Sequence, residues 1–464
     1  MKPFACLAVD MGAGSIRIVQ GTFGETFSMK EIYRFDNVME PRDGADRWNL
    51  ELITNGILSG LSKAIAESDV PIRSVGVDSW GVDFVLLGSD GQPLEDPVSY
   101  RDERTLGMKY LWNTMMSEME TFRHTGINYN VFNTLYQLLS LKESGVIGHT
   151  YRILFMADYI NYFLSGKAIN ELTLSSTTQM LSCVTGDWDP EILKRLGLKT
   201  GLLEKPVLPG MKIGSVKNGL VGGSPDVVTV AGHDTACAVA AIPGTSPNDA
   251  FLSTGTWCIM GMVADKPFLS EEAFNWGITN ERTADGHFRP LKNIMGLWLI
   301  QQLRLSFGSK HTYAAIDEMA AKVASPNLLV DVSDALFFNP PDMKTAFDDY
   351  LMRVYGRNLQ SEADYYRCAY ESLAAAFRET MLELEFLRGQ SFECIHIIGG
   401  GAQSDLLCRL TANATGKQVF AGPVEAAVTG NLLIQARTAG YFKCGEEIKK
   451  QISNLMRVGN YFPE

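Results

Sequence analysis

A chain of 464 residues with 46% hydrophobic and 20% charged side chains is long enough for two domains of ordinary globular composition. Its net charge of −12, with no long basic run, argues against a nucleic-acid surface, which needs clustered Lys and Arg. No run of about 18 apolar residues occurs, so no membrane span is expected.

Phe4 to Val9 is continuously apolar and predicts a buried strand over 4–10 that ends at Asp10. Gly12, Ala13 and Gly14 follow. Small residues let backbone N–H groups approach a polyphosphate, and a carboxylate there can hold a hydrated Mg²⁺. A dinucleotide fingerprint would need a third glycine where Arg17 stands, and no P-loop Gly-Lys-Ser/Thr ending follows. A plain tight turn is the alternative reading.

Ser15 to Val19 and Glu31 to Phe35 alternate polar and apolar, predicting antiparallel strands over 15–23 and 27–34. Residues 49–68 read as a helix and 74–78 as a strand. Phe84 to Leu87 reads as a strand before a turn at Asp90-Gly91. Helices are expected over 104–119, 133–144 and 155–165. Val227 to Ala231 reads as a buried strand leading into Gly232, His233, Asp234 and Thr235.

The Pro/Gly/Ser-rich stretch 241–247 predicts a link between two domains, 1–243 and 244–464. Beyond it, LSTGTW (252–257) restarts a strand–turn–strand pattern with a second phosphate-type turn. Two such turns in two halves suggest ATP held between related domains. Residues 362–388 predict a long helix, with a capping box from Ser361 and Asp364 and Gly389 at its C-terminal αL position. Tyr366, Tyr370, Leu373, Phe377, Met381 and Leu384 mark its core face. A strand over 394–398 runs into Gly399, Gly400 and Gly401; a strand over 417–420 and a helix over 425–440 follow. The eight cysteines lack C-x-x-C spacing and read as reduced thiols of a cytoplasmic chain. The six histidines form no H-E-x-x-H motif, so no zinc site is expected.

Nine segments fall in one order: VDMGAGSIR (9–17), VDSWGVDFVLL (77–87), YRDERT (100–105), FNTLYQL (132–138), AGHDTACAV (231–239), LSTGTW (252–257), LKNIMGLWLIQ (291–301), IIGGGAQ (397–403) and AGPVEAAVTGN (421–431). This order resembles the FGGY carbohydrate kinases, a branch of the actin-like ATPases, across essentially the whole chain. WGVDFVLL, FNTLYQL and LKNIMGLW are most similar to the family's rhamnulokinase branch.

The resemblance implies an α/β fold of two actin-like (ribonuclease H-like) ATPase domains with the active site in the cleft. The N-terminal domain would serve the sugar and the C-terminal domain the nucleotide. The implied reaction is ATP-dependent phosphorylation of L-rhamnulose at O1, with Asp234 as general base and Mg²⁺ required. Asp10 would organise the metal. Ala13, Gly14, Ser15, Ile16, Arg17, Thr256, Gln301, Gly400 and Gly401 would contact ATP. Gly81, His233, Asp234, Thr235 and Asn293 would contact the sugar.

Without the resemblance, Asp234 reads more readily as the cap of a helix starting near Ala236 than as a base. Asp83 and Asp102 are reserve loop carboxylates, a class that is usually solvated. Ile16 stands where the branch often has glycine, and Gln137 stands where other FGGY kinases have lysine. The alternatives are another ketose or polyol kinase of the family, acting on L-fuculose or D-xylulose, and a non-metabolic actin-like ATPase. Expected partners are the sugar and ATP, with neither nucleic acid nor membrane, in a monomer or homodimer.

Overall fold

The computed structural model describes residues 2–142, 144–199, 201–242, 246–442 and 459–464. The chain forms two compact units. Unit 1 comprises Met1–Gly244, Ala264–Pro290 and Ala427–Leu455; unit 2 comprises Thr245–Val263, Leu291–Ala426 and Met456–Glu464. Two segments beyond residue 244 thus belong to the unit that the first half builds. Pro243, Gly244 and Thr245 of the expected link lie outside the described residues, as does Cys444.

Unit 1 is built on a six-stranded sheet. Strand β1 (Phe4–Met11) is buried throughout. It pairs antiparallel with β2 (Ser15–Phe23) and parallel with the Ile72–Ser79 strand. The antiparallel strand β3 (Phe27–Asp36) closes one edge; Asp226–Val228 and Lys212–Ser215 extend the other. A strand covered on both faces needs apolar side chains in both directions, so β1 reads as an unbroken apolar run.

Helix Leu50–Glu67 covers one face, its start capped by the Asn49 side chain accepting from Leu52 N. On helix Ala426–Thr438, Gln435 Nε2 donates to the Leu7 carbonyl at 3.0 Å. Gly76 makes room for this polar contact: a Cβ there would meet Asn431 Oδ1 at 2.7 Å.

Three expected elements differ. The 104–119 helix is a 3-10 turn, Glu103–Thr105, and two helices, Met108–Asn113 and Glu118–Thr125. Gly107 at φ 84° breaks the first junction, and Ser117 caps the next helix. The 133–144 helix is shorter, Thr134–Ser140, and the 227–231 strand ends at Val228.

Unit 2 repeats the same motif. Asp249–Thr254 pairs antiparallel with Trp257–Met262 and parallel with Cys394–Gly399. Phe288–Met295, Gln418–Ala421 and Gly459–Tyr461 are further strands of this sheet. The long helix is Glu362–Arg388, with the Ser361–Asp364 capping box formed and Gly389 at φ 72°. Its face from Tyr366 to Leu384 is buried, as its spacing requires. Among the described residues no helix is long and apolar enough to cross a membrane, and seven cysteines are free and buried.

Candidate functional site

In unit 1 the site grows from the end of β1. Gly12 N donates to the Ser15 carbonyl at 3.0 Å, closing the turn. Asn37 pins it from outside: its Nδ2 donates to the Gly12 carbonyl at 3.0 Å and its N to the Gly14 carbonyl at 3.1 Å. Ala13, Gly14 and Ser15 are at least partly exposed, with backbone within reach of a ligand. Ile16 is fully buried in the core, so its side chain is spent on packing.

Arg17 lies opposite Asp10 across the β1–β2 ladder, and its Nε donates to Asp10 Oδ2 at 2.9 Å. On the other side of β1, Asp78 is the parallel register partner of Asp10. Asp78 is fully buried and accepts from Asn431 Nδ2 at 2.6 Å. Burial, then the charge of Asp10, pushes the Asp78 carboxyl well above the usual range. Asp10 is also raised, chiefly by burial and against the pull of Arg17. Two adjacent carboxylates in a dry sheet interior favour holding a proton between them.

The next residues leave the sheet. Ser79 N donates to the Gly232 carbonyl at 2.8 Å, which sets the 79–81 segment beside His233. The short helix Leu172–Thr177 ties both together. Glu171 accepts from Gly232 N at 3.0 Å, and Thr173 Oγ1 accepts from His233 N at 3.1 Å. Thr177 Oγ1 accepts from Val82 N at 3.3 Å, and a Cβ on Gly81 would meet that oxygen at 3.1 Å. Val82 has φ 69°, a strained conformation for a β-branched residue. Its carbonyl is held by the Thr134 hydroxyl at 2.6 Å.

Asp83 corrects the expectation of a solvated loop carboxylate. It is fully buried and accepts from Trp48 Nε1 at 2.7 Å, Trp80 Nε1 at 2.9 Å, Tyr100 N at 3.1 Å and Gln137 Nε2 at 3.1 Å. It is the anchor of the loop, and Gln137 and Trp80 serve it. Asp102 caps the Glu103–Thr105 turn.

Asp234 opens helix Asp234–Ala240, whose N-cap is His233. Asp234 is the first helical residue and not the N-cap; its Oδ1 accepts from Thr235 N and from the Thr235 hydroxyl at 3.0 Å. His233 Nδ1 lies 3.0 Å from Asp234 Oδ1, off the axis of the ring N–H, so this is an ion pair without an aligned hydrogen bond. Burial disfavours charge on both groups, but their mutual attraction and the Thr235 donors outweigh it. Asp234 is held below the usual carboxylate range and His233 above the usual imidazole range. His233 Nε2 faces Glu281 Oε2 at 3.6 Å, and Glu281 pairs with the fully buried Arg289.

Unit 2 presents a second turn. Thr254 Oγ1 donates to the Ile398 carbonyl at 2.6 Å and accepts from Gly401 N at 2.9 Å. A Cβ on Gly401 would meet that oxygen at 2.7 Å, so the glycine is required by close approach. Gly400 is exposed on the same turn. Thr256 is exposed, and its hydroxyl is 3.4 Å from Gln301 Oε1. Gly296 N and Trp298 N both donate to the Thr256 carbonyl at 3.2 Å. Asn293 is exposed on the strand opposite Ile259. Apart from this turn, Asp249, Cys394 and His396 form a group among the described residues that could hold a metal ion.

Unit 1 thus gathers Asp10, the 13–17 turn, Gly81, His233, Asp234 and Thr235, while unit 2 gathers Thr256, Gln301, Gly400 and Gly401. Sequence reasoning overlooked Asp78, the Thr173–Thr177 hydroxyl run and the Glu281–Arg289 pair. The run LTLSST carried a faint signal, a cluster of hydroxyls inside a helix. The Glu281–Arg289 pair carried none.

Residues 5–241 match the FGGY family of carbohydrate kinases, N-terminal domain, and residues 250–439 match its C-terminal domain. A protein named rhamnulokinase from Bacteroides thetaiotaomicron is 38% identical, covering 98% of this chain and 95% of its own length. The gluconate kinase from Lactobacillus acidophilus superposes with a TM-score of 0.83 at 16% identity, covering 100% of this chain and 94% of that one. Plasmodium falciparum glycerol kinase with ADP superposes at 0.82 with 12% identity, covering 99% and 94%. These likenesses in structure carry the fold; the sequence matches span both halves of the chain. The chain belongs to the FGGY family of carbohydrate kinases and is an ATP-dependent sugar kinase.

Proposed function

We propose that the protein transfers the γ-phosphoryl group of ATP to O1 of L-rhamnulose, with Asp234 accepting the hydroxyl proton. The observation that carries this is the state of Asp234: a carboxylate kept ionised by His233 and Thr235, beside the Gly81 segment. The identity to a rhamnulokinase over 98% of the chain supports the choice of sugar.

In the proposed step the O1–P bond forms and the bond from the γ-phosphorus to the ADP oxygen breaks. The O1 proton passes to Asp234. A low-pKa acceptor suffices because a loose transition state releases the proton late. Gly81, His233, Thr235 and Asn293 bind and orient the sugar; Asn293 offers both a donor and an acceptor. The backbone of residues 13–17, with Thr256, Gln301, Gly400 and Gly401, holds the nucleotide.

The donors at the end of β1 fit a hard cation. They are carboxylate oxygens, the ligand class a hard cation takes, and Arg17 Nε donates to Asp10 Oδ2. Asp10 would hold Mg²⁺ through water, and the ion would offset phosphate charge.

A coupled ADP-release assay tests the reading, with L-rhamnulose, L-fuculose, D-xylulose, D-ribulose, glycerol and no sugar. Turnover chiefly with L-rhamnulose is the expected result. Preference for another sugar would replace the substrate, and sugar-independent turnover would point to an actin-like ATPase.

A further inference from the structure

Glu281 and Arg289 sit on a hairpin that no step above uses. Thr283 N donates to the His287 carbonyl at 3.0 Å, and continuing that register places Glu281 opposite Arg289. The hairpin is fastened to the site: Arg282 N donates to Ser176 Oγ at 3.0 Å, on the same short helix that holds Gly232 and His233. Arg289 is fully buried, its Nε and Nη1 have no hydrogen-bond partner among the described residues, and its Nη2 pairs with Glu281 as counter-ion. Charges therefore alternate from the interior outward: Arg289, Glu281, His233, Asp234. Side-chain exposure rises along this row from 0% at Arg289 to 35% at Asp234.

We propose that Glu281 is a positioning residue for phosphoryl transfer: braced by Arg289, it holds the His233 imidazole from the side opposite Asp234. An imidazole gripped on one edge alone could rotate and release the carboxylate. Gripped on both edges, it fixes the direction in which Asp234 faces the sugar hydroxyl. Among the described residues, Asp234, Glu281 and Arg289 are the charged groups that act most on His233. The inference rests on the reading of Asp234 as base, but its anchor, the His233–Glu281 contact, can be measured apart from it.

The variants are Glu281→Gln and the paired Glu281→Gln/Arg289→Met. The pair is needed because the single change leaves a buried guanidinium without its counter-ion, whereas removing both charges is often tolerated. Each is made in the wild-type and His233→Asn backgrounds. In the wild-type background kcat should fall about tenfold to hundredfold, with the KM for Mg·ATP held within about twofold. In the His233→Asn background the same changes should cost less than about twofold, because Glu281 acts through His233. Imidazole nitrogen NMR at about pH 7 should show His233 moving toward its neutral form in the paired variant. Equal losses in both backgrounds, or an unchanged His233 spectrum, would overturn the proposal. Asp234→Asn assayed alongside separates the readings: if it keeps turnover, the base assignment is lost while the His233 spectrum still decides the role of Glu281.

Discussion

Asp10 and Asp78 are side-by-side partners on two parallel strands, one paired with Arg17 and the other with Asn431. Only one of them has a cationic partner across the ladder. The two therefore sit in different fields: Asp10 lies beside its cation, while burial and the charge of Asp10 push Asp78 well above the usual carboxylate range.

Asp78→Asn follows from that difference. The folded-state pKa of Asp78 is raised by burial and by Asp10. The folded protein therefore binds more protons than the unfolded chain over that window, and stability falls as pH rises through it. Asparagine removes the titration while keeping the shape and an amide donor. Between about pH 5 and pH 8 the variant should lose less Tm than the wild type. Parallel loss in thermal melts would contradict a protonated Asp78.

Asp234→Asn should fold normally by circular dichroism and lower kcat by roughly 10²–10⁴. Near-normal turnover in steady-state assays would remove Asp234 from the mechanism.

His233→Asn carries a pH signature. Asp234 is held low by His233, against its own burial. Without the imidazolium its pKa rises, so the proton leaves at higher pH. The acid limb of the kcat/KM profile should move upward, and the sugar KM should increase. An unmoved acid limb would mean that His233 does not tune the base.

Gly401→Ala tests the second turn. The added Cβ would lie 2.7 Å from Thr254 Oγ1 and 2.8 Å from its Cβ, so the turn must shift. The KM for ATP should rise by about tenfold or more while the sugar KM stays within about twofold. The reverse pattern in two-substrate kinetics would detach this turn from nucleotide binding.

Legibility in the sequence followed sequence range. The strand 4–10, the helix 362–388 with its capping box, and the turns at Gly12 and Gly399 could be read because each is specified by neighbours in the chain. The 104–119 segment misled because Gly107 and Ser117 interrupt a pattern that otherwise reads as helix. Asp83 misled in the opposite sense. A carboxylate in a loop is usually solvated, and nothing near it in sequence announces that Trp48 and Gln137 will donate to it.

Local pattern and motif order were therefore enough for the family and for nominating two turns and a candidate base, since these are encoded in short contiguous runs. Folding alone decided which carboxylates are buried and which partners surround each of them. Asp78 is raised by burial and then by the charge of Asp10, 68 residues away in the chain, and Arg289 finds its counter-ion across a hairpin seated on the 172–177 helix. A side chain's charge state depends on burial and on partners within a few ångströms, and those are properties of packing in space.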